Sequence, residues 1–350
     1  MLKLAIILDL KNTLTYVDYK RNLISKYYKN NQAKANQFGV RFLLENFNCE
    51  RQDRTEFFQM MLDCNIWGGI NYSFEYKHED SCVLLGLKPS LLHLGHMSLF
   101  KEFIFYCNKG FIPFIVLGNH ERLLEGNTQD QIDEKIKMMD DLLECNMIMN
   151  YTTINDSLSS NWDFWLSLVE NHISLRKVKQ LFGWTDDITF SQLKMVANMV
   201  VSFLSPQFYL KKPIKTIIPC GENELPSLEL TKIVAKKIGL VPPSVSLRMM
   251  LPSLRGSSER MSTKNMESTI FFNDDASIIK KKLMKSATGG REVELHKAMG
   301  GDVEKCIFLQ SIASLASEYD EITRIIFNCL NGKLCGKCKD DYFLTLKKYQ

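Results

Sequence analysis

The segment SCVLLGLKPSLLHLGHM (residues 81–97) joins a short apolar run to a loop that contains one proline and two histidines. The run 81–87 predicts a buried strand, and a helix is expected to begin near Gly95. A strand followed at once by a helix is the repeating unit of a parallel α/β sheet. The segment therefore predicts a strand–loop–helix unit, with His93 and His96 at the beginning of the helix.

The same alternation continues downstream and extends the predicted sheet. Short apolar runs bounded by turn residues predict further strands, and longer stretches with apolar residues at helical spacing predict helices between them. The predicted strands lie in FIPFIVLGN (111–119), MIMNYTTIN (147–155) and IKTIIPCG (214–221), and the predicted helices lie in 131–146 and 225–239. The fold class is therefore α/β with a parallel sheet.

Four segments describe the predicted organisation of the chain. Residues 1–80 are rich in Lys, Asn, Tyr and Phe, show no strand alternation and are expected to form a mostly helical N-terminal appendage. Residues 81–274 are expected to form the sheet domain, interrupted by a helical insertion at 156–211. Residues 275–350 contain only helical patterns, which predicts a separate helical C-terminal domain.

Composition sets broad limits on function. The 350 residues are 45% apolar and 24% charged, with a net charge of +4, which permits RNA as a partner without arguing for it. We expect no membrane span, because no uninterrupted apolar run approaches the required length, and no DNA partner. The ten cysteines are scattered along the chain, as in a cytoplasmic protein with reduced thiols.

One cysteine pair has the spacing of a metal-binding motif. Cys335 and Cys338 form a CxxC in LCGKC. A four-ligand zinc site needs a second pair of ligands, and the neighbouring sequence offers none. We therefore predict that the spacing is a coincidence and that the chain has no metal site.

The HxGH pattern of His93, Gly95 and His96 has two possible interpretations. At a helix N-terminus that follows a parallel strand, free N–H groups and two imidazoles can bind phosphate, and a glycine lets a nucleotide approach the backbone. Alternatively, the two histidines are simply satisfied within the core. The pattern alone supports both interpretations about equally.

A second candidate phosphate-binding segment is GSSERMSTKNMESTIFF (256–272). It is rich in Gly, Ser and Thr, with Arg260 and Lys264 as cations. Such a loop can close over a polyphosphate and supply positive charge. The alternative is an ordinary solvent-exposed loop. The lysines 280–282 are expected to form a solvated helix face, and Trp162, Trp165 and Trp184 are expected to be core or interface residues.

An HxGH followed by an RMS loop at the far end of an α/β domain, and then by a helical domain, resembles a class I aminoacyl-tRNA synthetase. Four stretches are similar to the tryptophanyl-tRNA synthetases of the eukaryotic and archaeal type: KQLFGWTDD (179–187), IIPCGENELPSLELTKIVAKKIG (217–239), LPSLRGSSERMSTKNMESTIFF (251–272) and ATGGREVELHKAMGGD (287–302). The resemblance covers about residues 80–350. It implies a Rossmann-like catalytic domain and a helical domain that binds the tRNA anticodon arm.

The resemblance also implies a function and its residues. The implied reaction is ATP-dependent activation of tryptophan followed by transfer to tRNA(Trp), with Mg²⁺ as cofactor, in a cytoplasmic homodimer. The implied catalytic residues are His93, His96 and Arg260, and the implied ATP-binding residues are Pro89, Ser90, His93, Gly95, His96, Arg260, Met261 and Ser262.

The departures from the family fall on the implied amino-acid pocket, which consists of Leu84, Gly86, Leu117, Glu121, Asn198 and Glu224. Leu84 stands where the family has a tyrosine that holds the indole N–H of the substrate, and Leu117 stands where it has a glutamine. Asn198 replaces a further glutamine of the family. A buried indole N–H without an acceptor costs about 1–3 kcal/mol. The alternative function is therefore a synthetase-like protein with lost or altered amino-acid activation that retains ATP or tRNA binding.

Overall fold

A computed structural model of the chain describes residues 15–44, 52–72, 80–119, 128–145, 151–155, 160–315 and 319–346. Its central sheet consists of β1 (Arg41–Phe42), β2 (Ile66–Ile70), β3 (Ser81–Leu87), β4 (Ile112–Leu117), β5 (Thr152–Asn155), β6 (Lys215–Gly221) and β7 (Ser244–Arg248). The strand order is β1-β2-β7-β6-β3-β4-β5. The strands from β7 to β5 in this order pair in parallel, whereas β2 pairs antiparallel with both β1 and β7.

Helices cover the sheet and form the C-terminal part of the chain. The described α-helices are α1 (Tyr16–Asn30), α2 (Gln32–Phe38), α3 (Gln52–Asp63), α4 (Met97–Asn108), α5 (Gln129–Cys145), α6 (Trp162–Glu170), α7 (Leu175–Phe182), α8 (Phe190–Leu210), α9 (Leu225–Lys237), α10 (Ala276–Met284), α11 (Val293–Met299), α12 (Ile307–Leu315), α13 (Tyr319–Leu330) and α14 (Cys335–Leu346).

The predicted α/β class is confirmed. The strands β3, β4 and β6 lie within the predicted apolar runs, and most of their residues are buried, as strands covered by helices on both faces require. Strand β5 lies within the run 147–155, of which residues 147–150 lie outside the described residues. The predicted helical insertion contains α6, α7 and α8.

The described residues of the N-terminal segment are mostly helical, as predicted, but they also add two strands to the sheet. Strand β2 pairs with β7 in the register Gly69↔Ser246. Its sequence, IWGGI, carries two glycines, which are depleted in strands and hid it from the sequence analysis. A Cβ on Gly69 would lie 3.0 Å from the carbonyl oxygen of Val245, so glycine permits the close pairing. The boundary at residue 80 remains a prediction, and the sheet crosses it.

The C-terminal region from α10 to α14 is helical, as predicted, and has its own apolar core. Helix α1 joins this core to the sheet domain: the backbone N–H of Tyr16 donates to Thr323 Oγ1 at 3.1 Å, and its ring stacks on Tyr319. Glycines permit close backbone packing here. A Cβ on Gly289 would lie 1.7 Å from the carbonyl oxygen of Asp302.

Among the described helices, none combines the length and the hydropathy that crossing a bilayer requires.

Candidate functional site

The HxGH segment lies at the carboxyl edge of the parallel sheet. After β3 the chain passes through a loop containing Pro89 and Ser90 into a 3-10 turn, Leu94–His96, which continues into α4. Strand β3 has β4 on one side and β6 on the other. Because the chain leaves β3 towards β4 and returns later to β6, the connections diverge at this edge, which is where open α/β sheets bind ligands.

The two histidines are held by hydrogen bonds to the backbone. His93 Nδ1 accepts from the N–H of Gly95 at 3.1 Å, and His96 Nδ1 accepts from the N–H of His93 at 3.2 Å. The ring centroids are 4.0 Å apart. A neutral imidazole whose Nδ1 accepts a hydrogen bond carries its proton on Nε2. Both rings are therefore fixed as Nε2–H donors.

Burial keeps both rings neutral. It lowers the pKa of His93 to about 4, and the positive charge of Arg260 adds to this effect. Burial also lowers the pKa of His96 to about 3, with contributions from His93 and Arg248. At neutral pH the pair can donate two hydrogen bonds but supplies no positive charge. The charge needed to bind a polyphosphate must come from the second segment.

Gly95 is required by the ring of His93. A Cβ at this position would lie 2.8 Å from His93 Cε1 and 3.8 Å from Met261 Cβ. From the sequence, Gly95 was predicted to let a nucleotide approach the backbone. In the structure the imidazole of His93 lies against it, so the glycine first serves to place the histidine.

The second segment begins in a short hairpin, β8 (Pro252–Ser253) and β9 (Gly256–Arg260). The N–H of Met261 donates to the carbonyl of Leu251 at 2.9 Å, and the Met261 side chain is buried. Ser262 exchanges two hydrogen bonds with the hydroxyl of Thr269, one through its N–H and one through its carbonyl oxygen. The loop backbone is thus tied at Met261 and Ser262, while Arg260 is exposed to solvent.

The structure brings the two segments together. The N–H of Leu94 donates to the carbonyl of Ile270 at 2.8 Å, and the N–H of Phe272 donates to the carbonyl of Leu92 at 3.0 Å. Between these two bonds, His93 and Phe271 form an antiparallel bridge, and their rings meet edge to face. Two stretches about 180 residues apart in sequence therefore lie side by side in the fold.

Lys282 was expected on a solvated helix face, and this expectation is wrong. Its ammonium forms an ion pair of 2.6 Å with Asp274, donates to the carbonyl of Thr269 at 2.8 Å, and lies 5.0 Å from the ring centroid of Phe271. Only 13% of its side chain is exposed. Lys282 therefore fastens the end of the second segment to α10, because its long stem reaches back over the loop.

A buried ion pair between Arg248 and Glu102 was not predicted from the sequence. Arg248 Nη2 lies 3.0 Å from Glu102 Oε2, and Ser246 donates its hydroxyl to the other carboxylate oxygen. Burial raises the pKa of Glu102, and Arg248 and Ser246 oppose this rise. The charge of Arg248 also helps to keep His96 neutral. The one sequence feature that could have indicated a buried charge is Arg248 itself, which lies within the apolar run SVSLRMM.

The residues assigned to the amino-acid pocket lie partly inside the sheet. Leu84 and Leu117 are buried in β3 and β4. Gly86 is exposed, and a Cβ there would meet no atom within 4 Å. Glu224 is half-buried at the carboxyl end of β6, where Asn223 donates to it. Glu121 lies outside the described residues.

Asn198 is engaged by another residue of the protein. Its amide oxygen accepts a hydrogen bond of 2.8 Å from the indole Nε1 of Trp162, and both side chains are buried. Trp162 and Trp165 belong to the core, as predicted, and Trp184 is half-buried.

The chain is similar in sequence to tryptophan–tRNA ligases of eukaryotes and archaea. The chain is 27% identical over 279 residues to the cytoplasmic tryptophan–tRNA ligase of Oryctolagus cuniculus, covering 75% of this chain and 58% of that protein. It is 26% identical over 290 residues to the tryptophan–tRNA ligase of Methanocaldococcus jannaschii, covering 75% and 74% of the two chains. The chain thus spans about 58% of the length of the rabbit relative. No protein-family profile matches it.

Solved structures show the same fold. Tryptophanyl-tRNA synthetase from Aeropyrum pernix K1 superposes with a TM-score of 0.76 at 19% identity and covers 93% of both chains. A tryptophanyl-tRNA synthetase homolog from Entamoeba histolytica gives a TM-score of 0.73 at 16% identity, covering 91% of this chain and 89% of its own. Tyrosyl-tRNA synthetase from Aeropyrum pernix gives a TM-score of 0.57 and covers 76% of this chain. The chain is thus similar in sequence to tryptophan–tRNA ligases and shares the fold of tryptophanyl-tRNA synthetases.

Proposed function

We propose that this chain activates tryptophan with ATP and transfers it to tRNA(Trp). The observation that carries the proposal is the meeting of the HxGH and RMS segments, in which Leu94 and Phe272 hydrogen-bond across to Ile270 and Leu92. This contact places two neutral imidazole donors beside an exposed arginine. Such a site offers hydrogen bonds and positive charge to a polyphosphate, and it lies at the edge of the sheet where nucleotides bind.

The proposed mechanism relies on positioning and electrostatics. The Nε2–H groups of His93 and His96 donate to phosphate oxygens, and the guanidinium of Arg260 binds the departing pyrophosphate. The carboxylate of the amino acid attacks the α-phosphorus in line with the leaving group, so the chain needs no nucleophile of its own. Because the histidines are neutral, charge stabilisation depends mainly on Arg260 and Lys264.

We propose that Mg²⁺ binds to the nucleotide rather than to a metal site formed by acidic side chains of the chain. Among the described residues, no three His, Cys, Asp or Glu side chains are placed to hold a metal ion. Mg²⁺ would enter with the nucleotide and would neutralise phosphate charge. Arg260 and Lys264 would supply the positive charge that comes from the chain itself.

The partners follow from the relatives. The relatives are named tryptophan–tRNA ligases, and the names of the mammalian ones include the word cytoplasmic. We propose the same partners and compartment for this chain, with residues 275–350 binding the anticodon arm and the sheet domain forming a homodimer. Light scattering tests the dimer: a mass near twice the 40.5 kDa of the chain is expected, and a monomer contradicts it.

A second candidate function has its own support. Leu84 and Leu117 offer no polar atom to a substrate indole, and the amide oxygen of Asn198 is already bound to Trp162. These residues favour a protein that retains the nucleotide site but has altered or lost selectivity for tryptophan.

Amino-acid-dependent exchange of pyrophosphate into ATP separates the two functions. Each of the twenty amino acids is tested with Mg²⁺ and the full chain. Exchange with tryptophan alone supports the proposed ligase. Exchange with a different amino acid, or with none, contradicts it and supports the second candidate.

A further inference from the structure

Lys282 of α10 holds three groups that lie in or just after the second phosphate-binding segment. Its ammonium forms the 2.6 Å ion pair with Asp274 and donates to the carbonyl oxygen of Thr269 at 2.8 Å. It also lies 5.0 Å from the centroid of the Phe271 ring, within the range of a cation–π interaction. Because an ammonium has several N–H donors and no acceptor, one side chain can fix all three groups at once.

The first of these groups, Thr269, leads to the RMS sequence. Its hydroxyl accepts from the N–H of Ser262 at 3.2 Å and donates to the carbonyl oxygen of Ser262 at 3.0 Å. Thr269 is fully buried. Ser262 follows Arg260 by two residues, and Arg260 is the exposed cation of the site. A displacement of Thr269 would therefore move the backbone that carries the arginine.

The second group, Phe271, leads to the histidines. Its N–H donates to Asp274 Oδ2 at 2.8 Å, and this is the same carboxylate oxygen that pairs with Lys282. Phe271 and His93 form an antiparallel bridge, and the centroids of their nearly perpendicular rings are 6.3 Å apart. Lys282 thus reaches His93 through one aromatic ring and one shared carboxylate.

Apolar packing joins the same elements. Leu94 of the HxGH segment, Met261 of the RMS sequence and Leu283 of α10 are buried in the core of the C-terminal helices. Beyond the end of α10, the N–H of Ala287 donates to the carbonyl oxygen of Leu254, which lies between β8 and β9. Apolar burial has no preferred direction. It brings the segments together, and the orientation of their polar groups must come from directional bonds.

We propose that Lys282 is a positioning residue of the nucleotide site. It orients the His93 ring and the backbone that carries Arg260, and it does not touch the substrate itself. Only 13% of the Lys282 side chain and 11% of the Asp274 side chain are exposed, so their attraction is screened less than that of a surface pair. The inference rests on the proposed ATP site and adds to it a residue from the helical C-terminal region.

Exchange of pyrophosphate into ATP tests the role of Lys282 in the full chain. The reaction contains Mg²⁺ and the amino acid that the wild type activates, and it compares wild type, Lys282→Met, Lys282→Arg and Lys281→Met. Methionine removes the ammonium and keeps much of the apolar stem, whereas arginine keeps a cation that can donate to both acceptors. Lys281→Met is the matched control, because it makes the same change at the exposed neighbour on α10. The ATP consumed in the first turnover counts the competent sites, so that exchange is expressed per competent site.

Lys282→Met should lower exchange per competent site by about tenfold or more, since a small misplacement of the binding groups is enough for such a loss. The KM for the amino acid should stay unchanged, because no displaced group belongs to the residues assigned to the amino-acid pocket. Lys282→Arg should retain most of the exchange, and Lys281→Met should match the wild type.

A merely structural role of Lys282 predicts a different result. Lys282→Met would then have fewer competent sites with unchanged exchange per site, and this outcome would overturn the proposal. Equal losses in Lys282→Met and Lys281→Met would overturn it as well. So would Lys282→Arg as slow as Lys282→Met, because the role depends on the hydrogen bonds that the cation donates.

The affinity for ATP with Mg²⁺ separates this inference from the proposed ligase activity. Calorimetry on the same four forms requires no activated amino acid. If no amino acid supports exchange in the wild type, the proposed ligase fails, but Lys282→Met should still bind ATP about fivefold or more weakly than Lys281→Met. Equal affinities of these two variants, or a wild type that binds no ATP, would overturn the positioning role.

Discussion

The indole Nε1 of Trp162 donates a 2.8 Å hydrogen bond to the amide oxygen of Asn198, and both residues are buried. Asn198 lies in α8 and Trp162 lies in α6, so this bond links the two longer helices of the insertion. In the sequence comparison, Asn198 stands at a position where the family carries a glutamine. A tryptophan of the chain itself thus uses an acceptor that was considered available for a substrate.

Replacing Asn198 by Leu should therefore lower stability. The change leaves the N–H of Trp162 buried without an acceptor, which costs about 1–3 kcal/mol in the free energy of unfolding. Urea denaturation measures this cost. In a Trp162→Phe background the N–H is absent, so Asn198→Leu should cost clearly less. Equal costs in both backgrounds would show that the hydrogen bond contributes nothing.

Gly95→Ala should remove nucleotide-dependent activity without unfolding the chain. The new Cβ would lie 2.8 Å from His93 Cε1 and would displace the imidazole. We expect pyrophosphate exchange to fall by about tenfold or more, the equivalent of one lost hydrogen bond to a charged group. Gly86→Ala serves as a stability control, since its Cβ meets no atom within 4 Å, and both variants should unfold near the wild-type temperature. Full exchange activity in Gly95→Ala would contradict the assigned role.

The two depressed histidine pKa values predict a pH-dependent stability. In the unfolded chain a histidine titrates near about 6.5, whereas burial lowers the pKa to about 4 for His93 and about 3 for His96. Between these values the unfolded chain binds more protons, so the free energy of unfolding should fall as the pH is lowered from about 6.5 to about 4. Each histidine contributes up to about 1.4 kcal/mol per pH unit.

A comparison with His96→Gln isolates this contribution. The raised pKa of Glu102 acts in the opposite direction, but it affects both chains equally. The variant should therefore show a shallower fall in unfolding free energy between pH 6.5 and about 4. Parallel curves for wild type and variant would mean that His96 is not held neutral by the fold.

The Glu102–Arg248 pair should be more sensitive to the loss of one partner than to the loss of both. Glu102→Leu leaves the Arg248 guanidinium buried without its carboxylate, and we expect a cost of about 3–5 kcal/mol in unfolding free energy. The double variant Glu102→Leu and Arg248→Met removes both charges and should recover most of that loss. Denaturant titration of the three chains measures the effect. A double variant as unstable as Glu102→Leu would contradict it.

The sequence predicted the local features of the fold and the site. The strand 81–87, the following turn and the HxGH at its end are contiguous in sequence, so their pattern was sufficient. Strand β2 was not predicted, because Gly68 and Gly69 are not typical strand residues. The small size of Gly69 is nevertheless what close pairing with β7 requires, and that of Gly68 is what the contact with Val40 and Arg41 requires. The predicted amino-acid pocket stays a prediction, and its residue Glu121 lies outside the described part of the chain.

Long-range contacts could not be predicted. Glu102 and Arg248 lie 146 residues apart, and no local pattern pairs a helix glutamate with a strand arginine. Cys306 and Cys329 likewise line one cavity with Cys335 and Cys338 only through the packing of the C-terminal helices. Periodicity determines which face of an element is buried, but it does not specify which buried side chains will meet.

The nucleotide site is tested most directly by the affinity of the full chain for ATP with Mg²⁺. Calorimetry measures this affinity for the wild type and for two variants. Arg260→Ala removes the exposed cation of the site. Arg255→Ala is its matched control, an exposed arginine of the same hairpin that pairs with Glu267. If the HxGH and RMS segments form the nucleotide site, wild type and Arg255→Ala should bind ATP alike, and Arg260→Ala should bind it about tenfold or more weakly. Equal affinities of all three forms, or no binding by the wild type, would contradict a nucleotide site built from the HxGH and RMS segments.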